Sequence, residues 1–345
     1  MAISSILCYV GFVLLLWKTC CLFFRAKRFR YMASLSPQQN PLLLYKLTNY
    51  VEFAFLSDIA LQFALFKTEA IPSISRILRA TKRYDDTKRF DDTRILIDEF
   101  VLHHVDSRRG SRAIRRLNFI HAQYKISNDD FVYSLCLFIL EPIRFSIKYG
   151  FRKWTEGEKE AQFIVWHDIG VRMGIKNIPE SLEEMDRFSR QYEASHMVYS
   201  KSNKVLADNT LELFLSTVPA LLRPLAKWAV FALCEERMVN AMDYPRQPFW
   251  FIWTVNSIAK FCCGTLVRWL LPPRPVSWST QRIPLQEEEE EEEDEKVYKL
   301  RYQVYNPCAY PDGYKVSHVG DAPVGRMGKL GDGTVLCPFS YIKKI

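Results

Sequence analysis

The sequence predicts an all-α protein in which one N-terminal transmembrane helix precedes a globular helical domain. Three observations lead there. Residues 5–24, SILCYVGFVLLLWKTCCLFF, form a single long apolar run. Beyond it, apolar residues recur at helical spacing in one segment after another. Between those segments, Ser or Thr followed three residues later by Glu marks new helix starts, as at Thr155/Glu158 and Ser181/Glu184.

The chain has 345 residues, 48% of them hydrophobic, enough to bury a substantial core. Lys and Arg outnumber Asp and Glu by 47 to 39, a net charge of +8. The excess is spread along the chain, with a cluster just after the first apolar run. Without a docking motif such basic residues are a solvated surface, so nucleic acid is excluded as a partner and the membrane surface is the acidic one. Nine cysteines show no C-x-x-C pair, and several sit in apolar helical stretches. They read as reduced residues packed as small hydrophobes, which places the main domain in a reducing compartment.

At about 1.5 Å per residue, the first run reaches across about 30 Å of hydrocarbon. Lys18 near its end can snorkel to the headgroups, and Arg25, Lys27, Arg28 and Arg30 follow at once. A cleaved signal peptide carries its positive charge before the apolar run and a small-residue cleavage site after it, the reverse of this pattern. The run is therefore a signal anchor whose C-terminal side faces the cytosol.

Residues 40–80 carry helical apolar spacing, with a break between helices at Pro72. A short duplication, KRYDDTKRFDDT, fills 82–93, and a helix continues through Ile95, Leu96, Phe100, Val101 and Leu102. SRRGS at 107–111 is a turn leading into RAIRRLNFIHAQY, where Ile114, Leu117, Ile120 and His121 lie on or beside one stripe flanked by Arg112, Arg115 and Arg116. Ser127 or Asn128, with Asp129, caps a helix that Pro142 interrupts. Two more apolar stretches, 211–234 and 249–271, raise the question of further spans; the prolines and charges within them make both buried or interfacial helices. EEEEEEEDE at 287–295 is a solvated linker, followed by a loosely structured extension.

No phosphate-cradling loop, dinucleotide fingerprint, H-E-x-x-H, G-x-S-x-G or C-x-x-C-H is present. The histidines are His103, His104, His121, His167, His196 and His318. A lone histidine on an apolar face is most often a hydrogen-bonded core residue, and arginines flanking a stripe are most often its solvated border. His121 has the best company, on the apolar side of an arginine-rich helix that suits a neutral imidazole ligand near an anionic group. His103 and His104, being adjacent, cannot share one helix face as a metal pair. His167 reads as a surface or supporting residue, and Asp129 and Asp130 as helix-start residues.

IPSIS at 71–75, KRFDDT at 88–93, RAIRRLNFIHAQYKISNDDFVYSL at 112–135, EP at 141–142 and WHDIGVRMGIKNIPESLEEM at 166–185 give the chain its resemblance to a known family. It resembles the ER-bound oxygenases of the MpaB type, grouped with the bacterial rubber oxygenases known as latex clearing proteins. The likeness is clearest over 70–200. It implies a helical, haem-binding domain around a non-covalent haem b, with His121 as the proximal iron ligand and Arg89 and Thr93 in the haem environment. Arg83 and Thr87 share that spacing, so the duplication leaves two candidate pairs. The distal lysine and glutamate of rubber oxygenases have no matching position here.

The resemblance further implies an oxidoreductase that uses dioxygen on a hydrophobic, prenylated or polyunsaturated secondary-metabolite substrate, in the endoplasmic reticulum membrane with its main domain cytosolic. The chain divides on this reading into an anchor and basic flank (1–30), a helical oxygenase domain (31–275), and an acidic linker with an irregular extension (276–345). A non-catalytic membrane-anchored protein that binds lipids or a partner is the alternative class. A cofactor-free hydrolase is disfavoured because no nucleophile-and-base pair stands out.

Overall fold

The computed structural model describes residues 2–80, 86–275, 298, 310 and 312–320. The protein is all-α: no β-strand forms among the described residues, and Tyr298 and Tyr314 make an isolated antiparallel bridge. The helices are α1 (Ala2–Ser34), α2 (Pro41–Lys46), α3 (Ala54–Thr68), α4 (Pro72–Ala80), α5 (Asp86–Leu102), α6 (Arg108–His121) and α7 (Asn128–Tyr149). They continue as α8 (Glu156–Arg172), α9 (Leu182–His196), α10 (Lys201–Leu215), α11 (Arg223–Leu233), α12 (Glu236–Ala241), α13 (Phe249–Lys260) and α14 (Val267–Trp269). Single π-helical turns cover Leu47–Glu52 and Phe261–Leu266.

The chain falls into two compact units, one from Met1–Lys82 with Ser127–Glu287 and the other from Arg83–Ile126 with Glu288–Ile345. In the first, α7 is the central helix and packs against α3, α8 and α9. Its buried residues form three apolar groups, around Phe66, Tyr133 and Met242, around Phe53, Tyr149 and Trp154, and around Leu44, Val51 and Ala161. In the second unit α5 and α6 pack together, and the turn at Val316–His318 packs on α6.

Local chemistry sets the helix starts. The Ser127 hydroxyl, not Asn128, caps α7 by accepting from the Asp130 N–H at 3.1 Å. Asn128 instead clamps the Lys176 backbone through both ends of its amide. Thr155 and Glu158 make both arms of the capping box. At α9 Ser181 caps Glu184, while the Glu184 carboxylate reaches back to the Glu180 N–H.

Two expectations are corrected. Pro142 does not interrupt its helix; α7 runs unbroken through it. A proline leaves the carbonyl four residues earlier without its helical donor, and the Gln162 side chain donates to that carbonyl, of Phe138, at 2.9 Å. The stretch 249–271, expected to be buried or interfacial, is helical and lies at the surface: in α13 Phe251 is buried, while Phe249, Trp250 and Trp253 are exposed. The extension beyond the acidic run is anchored where it is described, through Tyr310, Tyr314 and Val316–Val319. The acidic run itself, Arg83, and the Thr87 side chain lie outside the described residues.

The helix α1 is long and apolar enough to cross a membrane, as is Phe249–Trp269. The final turns of α1 join the first unit. Met32 is buried, and Arg28 meets the buried Glu52 at 2.8 Å. Arg152 also approaches Glu52, at 3.5 Å, while bonding Glu158 at 2.7 Å.

Candidate functional site

The residues singled out from the sequence lie on the α5–α6 pair. The α6 helix starts at Ser107, whose hydroxyl accepts from the Gly110 N–H at 3.0 Å. A side chain at Gly110 would collide with the His104 carbonyl, so the close approach of turn and helix requires glycine there. Across the turn, Arg109 holds the buried carboxylate of Glu99 with two donors, one at 2.7 Å. The Tyr314 hydroxyl donates to the same carboxylate, and Tyr298 lies under the Arg109 guanidinium, 3.7 Å from its ring centre. Burial alone would lower the Arg109 pKa, but bonding and charge from Glu99 outweigh it and the value ends raised.

Farther along α5, Lys88 pairs with Asp92 at 3.1 Å and Tyr310 donates to Asp92. On α6, Arg116 donates to the carbonyls of Val319 at 2.7 Å and Gly320 at 3.0 Å. The structure thus corrects one reading: Arg116 is not a solvated border but the clamp that ties the C-terminal extension to the helix carrying His121. Arg115 is exposed, as expected of a border residue.

His121 is the last residue of α6, and Arg89 and Thr93 lie within α5. Glu99 and Arg109 pair across the short turn between the two packed helices. Thr93 sits one turn nearer the loop, its hydroxyl donating to the Arg89 carbonyl at 2.9 Å. Burial lowers the His121 pKa to about 4. The imidazole is therefore neutral at pH 7 and keeps a nitrogen lone pair, the form that binds iron.

That donor chemistry fits a haem. A b-type haem would need one side-chain ligand from the protein, and a neutral histidine is a residue that holds haem iron. No group of three or more His, Cys, Asp or Glu with metal-binding geometry exists among the described residues.

The other histidines have ordinary surroundings. His196 stacks on Tyr192 with ring centres 4.2 Å apart, and His167 lies 5.3 Å from Phe163. The His104 ring accepts from the Asp106 N–H at 3.2 Å. His318 is exposed. Asp130 accepts from the Ser73, Ser127 and Tyr192 hydroxyls, which makes it a structural hub of the first unit rather than half of a catalytic pair.

Sequence reasoning missed a buried charge cluster in the first unit. Lys67 on α3 lies 3.4 Å from Glu141, 3.0 Å from Glu193 and 2.8 Å from Glu235. Arg144 bonds Glu141 and Asp186, both at 2.6 Å. The EP motif at 141–142 was its one visible sign.

Residues 52–262 match the family described as "ER-bound oxygenase mpaB/B'/Rubber oxygenase, catalytic domain". The chain is 31% identical to ER-bound oxygenase mpaB of Penicillium roqueforti (strain FM164) over 227 residues, 58% of this chain and 74% of that protein. It is 30% identical to ER-bound oxygenase mpaB' of Penicillium brevicompactum over 274 residues, 71% of this chain and 62% of that protein. With mpaB of the same species it shares 28% identity, again covering 61% of the relative.

Proposed function

Because the chain belongs to the family of ER-bound mpaB/B' oxygenases and rubber oxygenases, we propose that it is a membrane-bound, haem b-dependent oxygenase. Its substrate is a hydrophobic, prenylated or polyunsaturated secondary metabolite, in which an alkene is oxidatively cleaved or oxygenated with dioxygen as co-substrate. The observation that carries the haem assignment is the half-buried imidazole of His121 at the end of α6, whose Nδ1 is shielded from solvent.

When bound, haem b supplies the iron at which dioxygen is activated. His121 holds that iron, and Arg89 and Thr93 on α5 form the adjoining wall. The clamp from Arg116 to Val319 and Gly320 fixes the last turns of α6, so the ligand is held by a helix whose end is tied down. The anchor α1 crosses the endoplasmic reticulum membrane once, with the helical region on the cytosolic side, where a substrate dissolved in the bilayer is concentrated. The division into anchor (1–30), oxygenase region (31–275) and extension (276–345) belongs to the same proposal.

The test is the absorption spectrum of detergent-purified protein supplied with haem. Wild type shows a Soret band, and His121→Ala loses it while circular dichroism reports unchanged helicity. Wild-type protein that stays colourless would sink the proposal.

A further inference from the structure

The apolar surface of the first unit does not end with α1. Leu221, in the 3-10 turn Ala220–Leu222 before α11, is 90% exposed, and Trp228 on α11 is 46% exposed. Trp228 packs edge-on against Phe251 of α13, whose neighbours Phe249 and Trp253 are 80% and 64% exposed. At its far end this ridge meets the anchor: the Trp17 indole donates to the Leu270 carbonyl at 3.0 Å, and Lys18 lies over the Trp269 ring. Arg25 donates to the carbonyls of Val267 and Leu271, which end a helix and have no donors of their own within it.

Four of the eight tryptophans (Trp228, Trp250, Trp253 and Trp269) stand on this ridge and Trp17 on the anchor beside it, the residue type that gathers where hydrocarbon meets headgroups. The stretches 214–233 and 249–271 contain no Asp or Glu, but do contain Arg223, Lys227, Lys260 and Arg268. An apolar, aromatic ridge with purely basic charge complements an anionic lipid surface.

We propose that this ridge, from Leu221 through α11 and α13 to α14, lies in the plane of the bilayer interface beside the anchor, so that the helical region is seated on the membrane rather than tethered above it. In-plane seating, and not a second crossing, follows from the opposite flank of α13. Asn256 accepts from the Tyr149 hydroxyl at 2.6 Å and donates to the Ala232 carbonyl at 3.1 Å. Ala259, Cys263 and Val267 pack on the core that contains Phe53 and Trp154. A helix surrounded by lipid would have to give up these contacts, whereas a half-embedded one keeps them. The inference rests on α1 being the anchor, and the test separates the two.

Full-length protein in nanodiscs containing anionic lipid carries the photo-crosslinker p-benzoyl-phenylalanine in place of Leu16, Leu221, Phe249 or Trp253, with Arg190 on α9 as the background position. Mass spectrometry after irradiation is expected to find lipid adducts at all four sites and none at Arg190. Adducts at Leu16 without adducts at the other three overturn the seating and leave the anchor standing. Loss at Leu16 as well overturns both, and crosslinks from 221, 249 and 253 to a second copy of the chain overturn the seating in favour of a dimer. Glycosylation acceptors introduced beside Arg246 and Arg274 in microsomes then judge the crossing. An in-plane helix on the cytosolic face leaves both unmodified; modification of one alone overturns the seating in favour of a second crossing, and modification of both overturns the cytosolic side.

Discussion

The Gln162 amide donates to the Phe138 carbonyl at 2.9 Å, supplying the hydrogen bond that Pro142 withholds from α7. The other end of that amide accepts from Asn49 at 2.9 Å, so one buried side chain repairs α7 while joining α8 to the π-helical turn after α2. Removing it leaves a buried carbonyl without a donor, at a cost of about 1–3 kcal/mol. Gln162→Leu is expected to lose that much in urea unfolding. Restoring the backbone donor with Pro142→Ala should shrink the Gln162→Leu cost by about 1 kcal/mol, a coupling that a double-mutant cycle measures. Strict additivity of the two changes would contradict the repair.

Lys67→Met should be far more damaging than its conservative volume suggests. It strips the cation from Glu193, which is buried, and from Glu235, while Glu141 keeps Arg144 alone. Breaking a buried ion pair from one side costs about 3–5 kcal/mol, and the melting temperature should fall accordingly. A variant that melts with the wild type would show that the cluster tolerates uncompensated carboxylates.

Two carboxylates of that cluster carry pH dependences of opposite sign. Burial pushes Glu235 up, but the charge and hydrogen bond of Lys67 outweigh it and its pKa ends below 4.5. Its stabilising contribution is present above pH 4.5 and is lost as pH falls through the lowered value. For Glu193 burial dominates over Lys67, its pKa is raised above 4.5, and its contribution runs the other way, present below 4.5 and lost as pH rises through the raised value. Glu235→Gln should therefore destabilise at neutral pH and converge on wild type in acid, while Glu193→Gln costs less at neutral pH. Denaturation midpoints across pH check the order of the two.

Gly320 has φ +67°, and a side chain there would meet the end of Ile120 at 2.6 Å. Gly320→Ala should cost about 1 kcal/mol from backbone strain alone. Its specific signature is faster amide exchange in the last turns of α6, which Arg116→Met should reproduce by releasing the same segment. Exchange confined to the extension, with α6 unchanged, would mean the clamp does not support the helix.

The duplicated Arg-x-x-x-Thr spacing is resolved by haem retention. Residues that orient a metal ligand typically change affinity by about 10–100-fold. Arg89→Gln is expected to fall in that range and Arg83→Gln to match wild type; the reverse result would assign the haem side to Arg83 and Thr87.

Helix starts were legible because their chemistry is local: Thr155 needs Glu158 three residues on, and Ser127 needs Asp130. What escaped the sequence depends on distant partners. The cation–carboxylate pair of Lys67 and Glu235 joins residues 168 positions apart, and Tyr314 reaches Glu99 across 215. Pro142 was misread for the same reason, since its remedy comes from another helix. The exposed ridge on α13 has the composition of a buried helix, and composition carries no information on which side of a helix faces the core. The roles of His121, Arg89 and Thr93 were named from resemblance, because no local pattern states which residues of α5 and α6 would share a site.

The clamp from Arg116 to Val319 and Gly320 joins the last turns of α6 to a segment about two hundred residues away in sequence, and such a coupling must act in both directions. Whatever free energy the extension lends to the order of His121, a ligand bound at His121 returns in full to the order of the extension. Were the proposed cofactor held by His121, its occupancy would be written into the exposure of this segment, and a protease cutting there would read it.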